Sequence, residues 1–218
     1  MSHPSQPSSP GTTSDRNRAA HLGPERRRPQ VLDTALEIAA QRGLAGVTMA
    51  TVSARMGVSR PVVYDCYAGR GELLAALLVR ETEVSLARLL AILPPLKSGS
   101  VEQMFVDGFR SLLADVEMRP ASWRMIFGED PDPVLSEAIS RGRAAVTEKV
   151  GEVMRPLFER WQIADIDRAL PALTQIFVGI CESAVRMLLD TGSPWTDNPD
   201  GLADIIGRAA YRALRATT

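Results

Sequence analysis

Two kinds of reactive side chain are nearly absent from this chain. Its two cysteines, Cys66 and Cys181, make neither a CxxC pair nor a disulfide framework. Its two histidines, His3 and His21, both fall in the N-terminal tail, which argues against a buried histidine zinc site and a His-dependent triad. There is no GxSxG, HExxH, Walker loop or GxGxxG after a strand. An enzyme is therefore the least supported class, and no cofactor or metal is expected. No apolar run reaches the length of a membrane span, and the start lacks a signal-peptide core, so the expectation is a cytoplasmic chain without a membrane partner. Strand alternation and internal repeats are missing too.

What is present is a core and an uneven charge. The 218 residues are 45% hydrophobic, enough for one large domain or two small ones. From residue 16 to residue 70, nine arginines face four acids, a net of +5; the chain totals −1, so the remainder carries −6. A basic head on an acidic body suits a protein that meets phosphates at one end only.

Within that head, Thr48 to Tyr67 reads TMATVSARMGVSRPVVYDCY. Val52 and Met56 share one helical face, and Val62, Val63 and Tyr67 share another. Gly57 stands where a tight turn between helices needs positive φ. Ser59 is placed to cap a second helix whose first turn holds Arg60 and Pro61. This is the pattern of a helix-turn-helix, whose second helix can enter a DNA major groove.

In chain order, residues 1–23 are rich in Ser, Pro and Thr, and read as a disordered tail. Arg16, Arg18 and Arg26 to Arg28 could touch the DNA backbone or minor groove, or only add non-specific attraction. The periodicity predicts a first helix over Pro24 to Arg42, with Leu32, Ala35, Leu36 and Ala39 inward and Gly43 ending it. Thr48 caps the second helix. A fourth is expected from Arg70 to about Leu93, with leucine stripes at 73, 74, 77, 78 and at 86, 89, 90, 93, stopped by Pro94 and Pro95. The body reads as helical: Val101 to Glu117, Ala121 to Phe127, a turn over Asp130 to Pro133, Val134 to Trp161 with a bend near Pro156, Ile166 to Asp190, and Pro199 to Arg215.

The last two helices carry broad apolar stripes. Leu173, Ile176, Ile180, Ala184 and Leu188 lie on one, and Leu202, Ile205, Ile206, Ala209 and Ala213 on the other. Small residues among them, Gly179 and Gly207 included, would admit close approach. The stripes could pair with a second copy as a four-helix bundle or only cover the chain's own core; a head that reads a palindrome favours the homodimer.

From about Arg27 to Leu78 the chain resembles the tetracycline-repressor (TetR) family of bacterial transcriptional regulators. The carrying segments are VLDTALEIAAQRGLAGVTMATVSARMGVSR and VVYDCYAGRGELLAALL. The resemblance implies an all-α protein of about nine helices: a head over 24–70, then a ligand-binding and dimerisation domain over 71–218. It also implies a homodimer on double-stranded DNA bearing a palindromic operator, repression, and release by a small-molecule effector that moves the fourth helix. By the same resemblance Thr48 and Tyr64 contact phosphate, and Arg70 stands where a cation lies near the backbone. Arg28, Ser59, Arg60, Pro61, Val62 and Asp65 complete the expected DNA-binding set. Arg60 could read a guanine or hold a phosphate, and Val62 could press on a thymine methyl. Asp65 departs from the family pattern and could accept from a cytosine amino group or pair with an arginine. Ser53, Met56, Tyr67 and Gly71 also depart from it. A thiol switch at Cys66 is conceivable but has no resolving cysteine nearby.

Candidates for a ligand cavity are Phe105, Phe109, Trp123, Phe127, Trp161, Phe177 and Cys181, all of which ordinary core packing would also explain. Arg124, Gln175 and Glu182 are candidate polar anchors. An apolar lining would suit a hydrophobic or aromatic effector. The competing readings are a helical ligand-binding or interaction protein whose head has weak or lost DNA binding, and an activator in place of a repressor.

Overall fold

A computed structural model describes residues 23–92, 100–127 and 135–215 of the chain. The tail with Arg16 and Arg18, the expected stop at Leu93 to Pro95, the turn over Asp130 to Pro133, and Val134 lie outside the described residues. Among those described there are nine α-helices and no strand: α1 (Pro24–Arg42), α2 (Met49–Met56), α3 (Arg60–Tyr64), α4 (Arg70–Ile92), α5 (Val101–Met118), α6 (Pro120–Phe127), α7 (Ser136–Arg160), α8 (Ile166–Leu189) and α9 (Pro199–Arg215).

The head is assembled by local rules. α1 begins with proline in its first turn and ends at Gly43, whose φ of 69° needs no Cβ. Thr48 caps α2 reciprocally with Thr51. The Thr48 hydroxyl accepts the Thr51 N–H at 3.0 Å, and the Thr51 hydroxyl accepts the Thr48 N–H at 2.9 Å. Gly57 takes φ 66°, and the Val58 N–H reaches back to the Ser53 carbonyl at 3.0 Å, closing α2 in a left-handed turn. Ser59 occupies the cap position of α3 with extended backbone angles but makes no side-chain cap bond, contrary to expectation. Regular helix in α3 ends at Tyr64, and one further turn, with the Tyr67 N–H on the Val63 carbonyl, brings the chain to α4.

One core joins Val31, Leu32, Ala35 and Ile38 of α1, Val52 of α2, Val63, Cys66 and Tyr67, and Leu73, Leu74, Leu77 and Leu78 of α4. Met125, Leu135 and Ala138, from α6 and the start of α7, belong to the same cluster. Packing therefore does not break at residue 70: the first half of α4 roofs the head. A second core holds Phe105, Phe109, Leu112 and Leu113 of α5 against α7, α8 and α9.

Between the two cores the inner face of α4 turns polar. The stripe that begins with leucines continues as Glu81 and Ser85, each 2% exposed, whereas Leu86, Leu89 and Leu90 are only half-buried. A buried carboxylate must be paired. Glu81 is held by Arg119 and by the Ser122 hydroxyl at 2.7 Å, and Arg80 reaches it at 2.9 Å. Arg119 also donates to Ser85 at 3.2 Å, and the indole N–H of Trp123 donates to buried Asp115 at 3.1 Å. Arg80 extends this network to Asp33 of α1 at 2.7 Å.

α8 corrects the expectation that no segment is long and apolar enough to span a membrane: its 24 residues reach that length and hydropathy. Pro171 and Glu182 interrupt any strictly apolar run, but the average tolerates them. Both of its ends pack in the body core, where Leu173, Val185 and Leu188 are buried.

The small residues divide in a way that the stripes did not foretell. A Cβ on Gly207 of α9 would fall 2.6 Å from the Cα of Val106, so this glycine serves the chain's own α5–α9 contact. Gly142 of α7 and Gly179 of α8 meet nothing within 4 Å. Gly207→Ala should therefore lower unfolding stability by about 1–3 kcal/mol through overpacking, while Gly142→Ala should match or slightly exceed the parent because alanine favours helix. Urea denaturation of both variants checks this.

Candidate nucleic-acid interface

α3 is amphipathic at its smallest scale. Val63 faces inward with 0% exposure, and Cys66 and Tyr67 follow it into the core. Arg60 and Tyr64 form one outward column and Pro61 and Asp65 another, each pair four residues apart. All four are exposed, as is Ser59, and Val62 is half-buried. Among the described residues neither Arg60 nor Asp65 forms an ion pair, so the expectation of an arginine partner for Asp65 is not met within the chain. Tyr64 exposes half of its surface, a large aromatic projecting into solvent beside an arginine.

The remaining expected contacts are placed differently. The Arg70 Nε donates to the Val47 carbonyl at 2.8 Å and its Nη2 to the Leu44 carbonyl at 3.0 Å. The side chain thus ties the start of α4 to the loop before α2. Arg28 donates from Nε to the Cys66 carbonyl at 3.1 Å and lies over the Tyr67 ring, fastening α1 to the end of the recognition turn. Arg27 is buried. The Thr48 hydroxyl oxygen accepts the cap bond from the Thr51 N–H. Exposed positive charge in the head comes from Arg26, Arg28, Arg42, Arg55 and Arg60, with Arg55 steadied by Gln41 at 2.6 Å. These backbone-directed arginines have no sequence signature: an arginine that caps carbonyls and one that awaits a phosphate look alike in one dimension.

Ser53 is buried and spends its hydroxyl on the Ala50 carbonyl at 3.0 Å, so it replaces an apolar neighbour without leaving an unpaired group. Cys66 is 1% exposed with its Sγ toward the Val62 carbonyl, and burial pushes its thiol pKa up. Both features oppose the reactivity a thiol switch needs. Cys181 is pushed up to about 12 by burial.

Residues 31–77 match the family model of bacterial regulatory proteins, tetR family. The head is a TetR-family DNA-binding domain. It is 24% identical over 160 residues to the HTH-type transcriptional regulator AlkX of Mycobacterium tuberculosis, covering 73% of this chain and 75% of that one. Among solved structures, a putative transcriptional regulator from Pseudomonas aeruginosa PAO1 superposes with a TM-score of 0.66 at 19% identity, covering 91% of this chain and 95% of that one. A TetR-like transcriptional regulator from Rhodococcus sp. RHA1 does so with a TM-score of 0.62 at 21% identity, over 86% and 95%. The chain thus carries a TetR-family DNA-binding head and shares the all-helical fold of these structures.

In the body, the aromatic residues named as candidate cavity lining mostly pack on one another. Phe105 meets Phe177 edge-on at 5.7 Å and stacks with Trp161 at 6.4 Å; Phe109 meets Phe177 at 6.0 Å; Trp123 stacks on Phe127 at 5.7 Å. Of the seven, only Phe127 lines the narrow cleft bounded by α4, α6, α7 and α8, which has about 40 Å³ of free space. Its apolar wall also includes Leu78, Ile126, Ile139, Val146 and Val178, and its polar groups are Thr82, Arg143 and Glu182. Of the three candidate anchors only Glu182 reaches this cleft; Arg124 is exposed and Gln175 lines an outer groove between α7 and α8.

Removing the Arg70 side chain should cost about 1–3 kcal/mol of head stability, since two carbonyls lose a charged donor. Arg60→Ala should stay within about 0.5 kcal/mol of the parent, as exposed substitutions do. Thermal unfolding of the two variants separates the fastening arginine from the outward one.

Proposed function

We propose that this regulator is a homodimeric repressor that binds a palindromic operator through α3 and is released when a small molecule opens the body cleft. The observation that carries the reading is the exposed face of Arg60, Pro61, Tyr64 and Asp65 on a helix whose other side is sealed into the head. Arg60 and Asp65 keep their hydrogen-bonding groups for a partner, and Val62 at the edge suits a base methyl. Thr48, Ser59 and Tyr64 are proposed to contact the DNA backbone. Arg28 and Arg70 are proposed to act by holding the reading helix and the α2 loop in place, in addition to any phosphate contact.

Dimerisation is assigned to the outer faces of α8 and α9. Ile176 is 49% exposed and Ile205 54%, and Met187, Ala209 and Ala213 are exposed beside them. Gly179 lies on the same side of α8 with open space at its Cβ position. Leu173, Ala184, Leu188 and Leu202, also expected at the interface, are buried in the chain's own core, and Ile180 and Ile206 are half-buried. The proposed interface is therefore the outer half of each stripe. The functional division is proposed to fall within α4, because its first half completes the head. A DNA-binding protein of this kind works in the cytoplasm, and no catalytic or cofactor role is proposed.

In mobility shifts against the intergenic DNA beside its own gene, the protein should bind in a salt-sensitive, sequence-preferring manner. Arg60→Ala should weaken that binding by about tenfold or more and alter base preference if Arg60 reads a guanine. Absence of any preference in the parent protein would remove the DNA-reading role.

Light scattering should report a dimer for the parent chain. Ile205→Glu should yield a folded monomer, because the new charge would be buried only in the pair. A monomeric parent would contradict the assignment of α8 and α9.

A further inference from the structure

Among the described residues Glu182 is the one carboxylate in the wall of the body cleft, and one of its two oxygens has no partner there. It is 5% exposed. Its Oε2 accepts from Arg143 Nη2 at 2.5 Å, with Arg186 at 3.9 Å. Its Oε1 is buried and has no hydrogen-bond partner among the described residues. Most buried polar atoms are satisfied, and an orphaned charged acceptor is costly. Around it stand Leu78, Ile126, Phe127 and Val178, which can donate nothing from their side chains.

We propose that the cleft binds an apolar molecule bearing a hydrogen-bond donor, a hydroxyl or an ammonium, and that Glu182 Oε1 is its acceptor. A donor completes the carboxylate without disturbing the Arg143 pair. An anionic ligand meets the opposite situation. Its charge would stand against the unpartnered Glu182 Oε1, and the guanidinium beside it is already shared with Glu182 Oε2, so the anion gains less from Arg143 than it loses to the carboxylate. The selectivity therefore runs toward neutral or cationic donors. The apolar wall supplies the rest of the affinity, and a guest larger than the present 40 Å³ must separate α4 from α7 and α8 at Leu78 and Thr82. This inference rests on the reading of the cleft as the effector site, but it concerns binding alone.

Isothermal titration of the full chain at neutral pH with n-hexanol, hexylamine and hexanoate, equal in length and different in head group, tests it. The alcohol and the amine should bind at least tenfold more tightly than the carboxylate. In Glu182→Gln the amide must give its single oxygen to Arg143 and turn its N–H groups into the cleft, so the preference should reverse toward hexanoate. Gly142 lines the cleft with open space at its Cβ position, so Gly142→Leu fills the cleft and should weaken binding of all three. Equal or tighter binding of hexanoate by the parent chain overturns the proposal, as does no binding of any probe or an unchanged preference in Glu182→Gln. If Glu182→Gln fails to fold, the parent's head-group preference and its loss in Gly142→Leu decide. A mobility shift with the alcohol present separates the two readings: Glu182-dependent binding that leaves the DNA complex intact keeps this assignment and removes the effector role.

Discussion

The structure turns on the burial of a carboxylate in the middle of α4. Glu81 sits where one more leucine would continue the stripe, and it can remain there only while Arg119, Ser122 and Arg80 surround it. Breaking a buried pair from one side costs several kcal/mol, about 3–5. Three segments are therefore held in one arrangement at this point: α1 through Asp33 and Arg80, the α5–α6 junction through Arg119, and α6 through Ser122. Apolar contacts alone tolerate sliding better than a directional network does. Glu81 thus sets the register of α4 relative to both cores.

That constraint gives the cleft its leverage. Leu78 and Thr82 line it, and they lie within one helical turn of Glu81. A guest that pushes on them pushes on the segment whose first half roofs the head. On the proposed reading, the energy available to move the head is the difference between the guest's affinities for the closed and opened cleft.

Much of the head was legible in one dimension. Gly43, Thr48 and Gly57 act on their own immediate neighbours, so their roles follow from residue type and spacing. The helices of the body were also readable from periodicity to within a few residues, because Pro120, Pro156 and Pro171 disturb helix ends and interiors locally. Proline 120 proved to start α6 rather than merely to precede it, as its missing N–H permits. The misplacements share one cause. Aromatic residues at helical spacing identify a buried face but not whether the neighbour is another ring or a cavity. The stripes on α8 and α9 are wider than one contact, and their sequence does not divide the inner half from the outer.

The sequence by itself determined the helix-turn-helix, its Thr48 cap and Gly57 turn, and the helical body, since each rests on interactions between residues close along the chain. Tertiary structure alone decided what the long-range partners do. Arg70 reaches carbonyls more than twenty positions away, Gly207 makes room for the backbone of Val106, Glu81 waits on Arg119, and Glu182 shares one oxygen with Arg143 while the other is unpaired. A charge or a glycine has the same letter whether it faces solvent or a buried neighbour. Only the packing of distant helices sets its surroundings, and those surroundings set its energy.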